Sequence, residues 1–337
     1  MEKNYGLNYI RGIGAILIVL YHYTTRYFDV LYDMGAESSR TGVWWGCWAV
    51  SIFFILSGFL TVANIKDSIT VKTFAVKRVT RLYPSYWTAI ILTTLVTYGL
   101  NSAMKTDLIS TLLNFTMLQG FVGIPNVDGA YWTLRCELWF YVIIAVTLFF
   151  KKRNYTVMST VWLGLIILKD AFFATLEINN TLKSAATLFL MSDWASTFII
   201  GMSLCAIYKK KKDFLAYFNL ILCFVIEYNL RSTSRFLFVV LVTALIYLLV
   251  VKKIKIKHDG VLNFFSSISF PLYLLHQKIG YVIIQSFERA HLSRYIGMIA
   301  AVVICTAFAY LVHKYVEISA SKWLQKKLIC PEKSQIK

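Results

Sequence analysis

Few side chains in this 337-residue sequence combine acid–base chemistry with an apolar setting, and they lie far apart in the chain. His22 follows the apolar run 13–20. An imidazole titrates near pH 6.5, so a useful neutral fraction exists at physiological pH and can take a proton from a hydroxyl. Arg11 stands eleven residues earlier, about 16 Å along a helix and close to three full turns, so both side chains face one way. Two readings follow. Either Arg11 snorkels to the membrane interface while His22 caps the outer end of a span, or the pair lines a polar channel with His22 as the base.

Three further segments carry groups of the same kind. In SIFFILSGFLT, 51–61, Ser57 and Gly58 sit among bulky apolar residues. Small side chains there allow helices to approach closely, whereas Ser57 as a nucleophile lacks the G-x-S-x-G elbow and a base beside it. In KTFAVKRVTRLYPSYW, 72–87, Arg78 and Arg81 are three apart and share a helix face just before Pro84. Such a cluster is either a solvated topology signal or a polyanion site, since two guanidinium forks match the oxygens of a pyrophosphate. In DGAYWTLRCELWF, 128–140, Trp132 precedes Thr133, which is an i,i+4 neighbour of Glu137, while Arg135 diverges from that carboxylate. A second histidine in an apolar stretch, His276 in FPLYLLHQ, is either bonded across helices or a wall of the same cavity. No H-E-x-x-H pair or acidic cluster points to a metal.

Positioning these groups falls to apolar helices. The chain has 35 Lys plus Arg against 17 Asp plus Glu, a net charge of +18, and is 58% hydrophobic but only 15% charged. A soluble domain carries about 25% charged residues, so the composition points to a multi-span membrane protein. Ten apolar blocks at 8–27, 43–64, 85–104, 132–150, 155–171, 184–208, 214–230, 235–251, 261–286 and 293–313 predict an all-α polytopic protein with about ten transmembrane helices. Continuous apolar runs exclude a β-barrel. Scattered cysteines exclude a zinc module or disulfide framework, and basic residues spaced between apolar blocks exclude a nucleic-acid face. With the N-terminus in the cytoplasm, 23 basic residues fall in inner segments and nine in outer ones, which places both termini in the cytoplasm. By that count His22 and Glu137 both lie toward the outer side. A joint site is therefore expected, in which the carboxylate orients the imidazole or binds an acceptor.

Taken in order, these segments resemble the integral-membrane acyltransferase-3 family, from about Tyr9 to Glu317. The resemblance rests on Arg11 and His22 with ten residues between them, on FFILSGF at 53–59, and on Arg78, Arg81 and Pro84 as R-x-x-R-x-x-P. It continues through Trp132, Thr133, Leu134 and Glu137, and through Tyr273, Leu274 and His276. One departure is that Glu317 is followed by Ile318, Ser319 and Ala320, where the family commonly has a nearby proline.

The resemblance implies a membrane domain at 5–320, a short basic cytoplasmic tail at 321–337 and no soluble esterase-like domain. It implies an O-acyltransferase of the bacterial cytoplasmic membrane, surrounded by membrane lipids. Acetyl from acetyl-CoA, or another acyl group such as succinyl, would pass to a hydroxyl of a cell-envelope glycan or lipid-linked sugar. His22 and Glu137 are then catalytic, Arg78, Arg81 and Arg11 serve the acyl donor, and Ser57, Trp132, Thr133 and His276 line the substrate cavity. No metal is expected, and the oligomeric state stays open. The competing class is a polytopic secondary transporter of a small anionic or sugar-like solute, which would show inverted halves with matching broken helices. A non-catalytic scaffold would leave the spacing of these residues coincidental.

Overall fold

The computed structural model describes residues 5–34, 42–150, 154–175, 180–210, 212–252, 254 and 259–329. Outside them lie Lys3, Arg40, Lys211, Lys253, Lys255, Lys257, the basic run 151–153 and residues 330–337 of the basic tail. Every regular element among the described residues is helical. In chain order the helices are α1 (Tyr5–Tyr21), α2 (Tyr27–Tyr32), α3 (Ala49–Ala63), α4 (Val71–Leu100), α5 (Leu108–Asn114), α6 (Trp132–Thr147) and α7 (Tyr155–Thr175). They continue as α8 (Asn180–Leu190), α9 (Ala195–Lys209), α10 (Phe214–Leu230), α11 (Thr233–Val250), α12 (Gly260–Arg289), α13 (Arg294–Leu311) and α14 (Ile318–Ile329).

Local chemistry sets several starts. Side chains of Thr70, Asp107, Asp213 and Ser232 accept from main-chain N–H groups in the first turns of α4, α5, α10 and α11. Each satisfies a donor that the helix itself cannot. The cap at Thr70 makes the basic segment the first three turns of α4, so Pro84 falls inside that helix instead of opening it.

The expectation of about ten transmembrane helices is corrected. Among the described residues, five helical stretches are long and apolar enough to cross a membrane: Trp44–Ala63, Tyr155–Thr175, Asn180–Lys209, Thr233–Val250 and Arg294–Ile329. That pattern is one of a multi-pass membrane protein. The even count, and with it the placing of both termini in the cytoplasm, falls with the number ten. The physical reasons are length and polarity. α6 and α10 have 16 and 17 residues, short of the roughly 20 that span hydrocarbon, whereas α1 runs on through the π turn and α2 but interrupts its apolar run with Arg11, His22 and Arg26. α4 and α12 reach 30 residues each but interleave polar groups, including Thr88, Thr93, Thr94 and Thr97 in one and Asn263, His276, Gln277 and Lys278 in the other.

The chain forms two compact units, dividing within α1 after Arg11 and within α6 before Cys136. The first contains residues 1–11, 48–69 and 136–259. At its centre α3 crosses α9 with almost no side chain between them. A β-carbon on Gly58 would overlap the Phe198 carbonyl, and one on Gly201 would lie 2.7 Å from the Phe59 main-chain nitrogen. Phe54, Phe198 and Phe140 stack beside that crossing, with ring centroids 4.6 and 4.4 Å apart. The second unit contains residues 12–47, 70–135 and 260–337. Its core is α12, which α1 meets at Gly12, where a β-carbon would fall 2.5 Å from the Leu262 carbonyl oxygen. Further along, Gly280 of α12 leaves room for the ring of Tyr23.

Candidate active site

The second unit joins two histidines separated by 254 positions in the chain. α1 ends at Tyr21 and the next turn, His22–Arg26, widens to π pitch. Such bulges recur at functional sites because they turn a side chain out of the regular ladder. His22 is half-buried at the start of this turn. Its Nδ1 lies 3.0 Å from Nε2 of the fully buried His276, with the two rings edge to face at 74°.

Carbonyl oxygens around the pair identify its tautomers, because a carbonyl can only accept. His276 Nδ1 lies 3.0 Å from the Leu272 oxygen and 2.9 Å from the Tyr273 oxygen, so it carries the hydrogen. In the neutral ring His276 Nε2 then holds a lone pair. His22 Nδ1 faces that lone pair and, at 2.9 Å, the Ile18 oxygen, so it too is an N–H donor. What remains on neutral His22 is an unprotonated Nε2, which is the atom a general base needs.

Neighbouring contacts hold the pair in place. The Tyr23 hydroxyl donates to the His276 main-chain oxygen at 2.7 Å, and Tyr23 is 2% exposed. Thr133 donates to the Tyr273 hydroxyl at 3.0 Å, which in turn donates to the Ala130 oxygen at 2.9 Å. Asp128, fully buried in the loop before α6, accepts from the Ala130 and Lys278 main-chain N–H groups at 2.8 and 2.7 Å. Burial pushes its carboxyl up to about 6, opposed by those two hydrogen bonds and by the Lys278 charge.

The remaining expected residues are distributed over both units. Arg78 and Arg81 lie in the third turn of α4 in the second unit, Arg78 half-buried with its guanidinium 5.0 Å from the Phe74 ring centre and Arg81 exposed. Trp132, half-buried, opens α6 in the same unit. Arg11 is half-buried in the first unit. There Ser57 donates to Glu137 Oε1 at 3.4 Å, and the buried Tyr141 hydroxyl donates to the same oxygen at 2.5 Å. The structure thus brings together His22 with His276, and Ser57 with Glu137.

Tyr23, Asp128 and Gly280 also belong to this site, although none stands out in the sequence as a site residue. Their signals are local: Asp128-Gly129 is a turn pair, and Gly280 lies four residues beyond His276 on one helix face. Arg231 and Arg235 are two of the nine basic residues that the sequence count assigns to outer segments. Arg235 instead pairs with the fully buried Glu227, Nε to Oε2 at 3.1 Å, while its guanidinium covers the Trp194 ring at 4.2 Å.

A family model described as an acyltransferase domain matches residues 4–313. Nodulation protein 10 of Rhizobium leguminosarum bv. viciae is 29% identical over 163 residues, 41% of this chain and 44% of that protein. A putative acetyltransferase of Acidianus two-tailed virus is 24% identical over 254 residues, 73% of this chain and 67% of that protein. The exopolysaccharide production protein ExoZ of Rhizobium meliloti (strain 1021) is 29% identical over 132 residues, 36% of this chain and 41% of that protein. The chain therefore spans less than half the length of the nodulation and exopolysaccharide proteins it matches. No solved structure matches it.

Proposed function

The chain belongs to the acyltransferase-3 family, and from that premise we propose that it moves an acetyl group from acetyl-CoA to a hydroxyl of a cell-envelope glycan or glycolipid. The observation that carries this reading is the His22–His276 contact, 3.0 Å from Nδ1 to Nε2, which with the Ile18 carbonyl argues for a lone pair on His22 Nε2. His22 removes the proton of the acceptor hydroxyl as its oxygen attacks the thioester carbonyl carbon. The imidazolium so formed returns that proton to the departing thiolate, so the base is regenerated in one cycle. When bound, acetyl-CoA supplies the activated carbonyl and a thiolate leaving group.

For the donor, the fit lies in the chemistry of α4. Arg78 and Arg81, three residues apart, offer two planar forks suited to pyrophosphate oxygens, with Lys77 adding charge. A glycan acceptor draws support from the relatives: one is named for exopolysaccharide production. An acetyl donor draws support from another, named a putative acetyltransferase.

The test is reconstitution of the purified chain in liposomes with acetyl-labelled acetyl-CoA and a panel of polysaccharide and lipid-linked sugar acceptors. Label recovered as an alkali-labile ester on an acceptor supports the reading. Movement of an intact solute across the bilayer with no ester formed contradicts it and points to transport.

A further inference from the structure

We propose that His276 is a positioning residue for acyl transfer, acting through His22 by fixing its tautomer and by sharing the proton that His22 takes up. This deepens the proposed function and rests on His22 being the base. In many hydrolytic sites a carboxylate orients the catalytic imidazole. Here the atom facing His22 Nδ1 is a second imidazole nitrogen, 3.0 Å away.

The arrangement suits a neutral acceptor better than an ionic one. Among the described residues, the main-chain carbonyls of Ile18 for His22 and of Leu272 and Tyr273 for His276 also face the two Nδ1 atoms. Their partial negative charges face whichever ring is positive, and no net charge need be buried before a proton arrives. His276 cannot turn away easily. It is fully buried, and the hydroxyl of Tyr23 holds its main-chain oxygen at 2.7 Å.

The proton step balances within the pair. When His22 Nε2 gains the hydroxyl proton, the Nδ1–H bond of His22 can break as an Nε2–H bond forms on His276. His22 is then neutral and His276 holds the positive charge, with its Nδ1–H still directed at two carbonyls. Return of that proton to His22 Nδ1 accompanies transfer of the Nε2 proton to the thiolate. No electrons change hands, and no other co-reactant enters.

Two variants of the full chain in liposomes separate this role from simple packing. His276→Gln keeps an amide oxygen that can accept from His22 Nδ1, whereas His276→Leu fills the space without any acceptor. The expected result is a fall in kcat of about 100-fold or more for His276→Leu, the scale of general acid–base effects, with the acetyl-CoA KM unchanged. His276→Gln should recover most of that loss. Equal kcat for wild type and His276→Leu overturns the proposal, as does an equal fall in both variants accompanied by a raised KM.

A direct readout avoids dependence on variant folding. In ¹⁵N-histidine NMR of the wild-type chain, His22 should show a protonated Nδ1 and an unprotonated Nε2. The opposite tautomer overturns the proposal. Failure here is distinguishable from failure of the base assignment: an inactive His22→Ala beside a fully active His276→Leu removes only the positioning role, whereas an active His22→Ala removes both.

Discussion

Replacing Gly280 by alanine should damage stability and turnover together, because one methyl group would press on the contact that seats His276. A β-carbon built on Gly280 lies 2.5 Å from both Cε1 and Cζ of Tyr23. Carbon atoms settle at about 3.5–4.0 Å, so the ring must retreat by roughly 1 Å. Tyr23 is only 2% exposed, and its hydroxyl is 2.7 Å from the His276 main-chain oxygen, so retreat also strains that hydrogen bond. Overpacking costs about 1–3 kcal/mol and loss of a hydrogen bond about 0.5–1.5 kcal/mol. A combined loss of roughly 2–4 kcal/mol lowers the folded-to-unfolded ratio by about thirty-fold to several hundred-fold. Unfolding in detergent micelles measures the first effect, and initial rates of acyl transfer against acetyl-CoA concentration measure the second. Turnover should fall while the acetyl-CoA KM stays put, since the arginines of α4 are untouched. A Gly280→Ala protein that unfolds like wild type and turns over at the same rate would refute the packing argument.

Other consequences are equally direct. Arg78→Gln with Arg81→Gln should raise the acetyl-CoA KM with little change in kcat, as expected for groups that bind the donor; an unchanged KM removes them from that role. Glu227→Ala should cost about 3–5 kcal/mol in an unfolding assay, because Arg235, 9% exposed, would keep its charge without the carboxylate beside it. Glu227→Ala together with Arg235→Leu should recover much of that loss. The Asp128 carboxyl, raised to about 6 against about 3.9 in an unfolded chain, binds its proton more tightly when folded. Its stabilising contribution is therefore full below pH 4 and lost as pH rises through 6, by about 3 kcal/mol at most. Asp128→Asn should lack that fall, so the difference in unfolding free energy between wild type and variant should change with pH across this window and be flat above it.

Much of this chemistry is legible one residue at a time, but its pairing is not. His22 and His276 each stand out as imidazoles in apolar stretches, and a shared cavity is among the expectations, yet nothing at either position indicates direct contact between the two rings. Their meeting depends on Gly12 and Gly280, which let α1 and its π turn approach α12, and glycine spacing alone does not name a partner. Gly58 is the easier case: a small residue between bulky ones marks a close crossing, and α3 meets α9 there. The hydrogen-bond partner of the serine beside it is not visible in the sequence, because Glu137 lies 80 positions away. The membrane reading followed from composition, but counting spans from apolar blocks failed in particular places. Residues 22–27 extend the first block on paper, and the helix does run on through them, but His22 and Arg26 there and Arg11 earlier leave too few apolar residues in a row. α12 reads as a span by its ends, yet its middle is where the polar groups of the site are carried.

The most direct measurement of the central claim is a single-turnover assay with labelled acetyl-CoA and acceptor, comparing wild type with His22→Ala in the same liposomes. His22→Ala should remain folded and still bind acetyl-CoA but form ester at least about 100-fold more slowly. Ester formation by His22→Ala at the wild-type rate would contradict that claim.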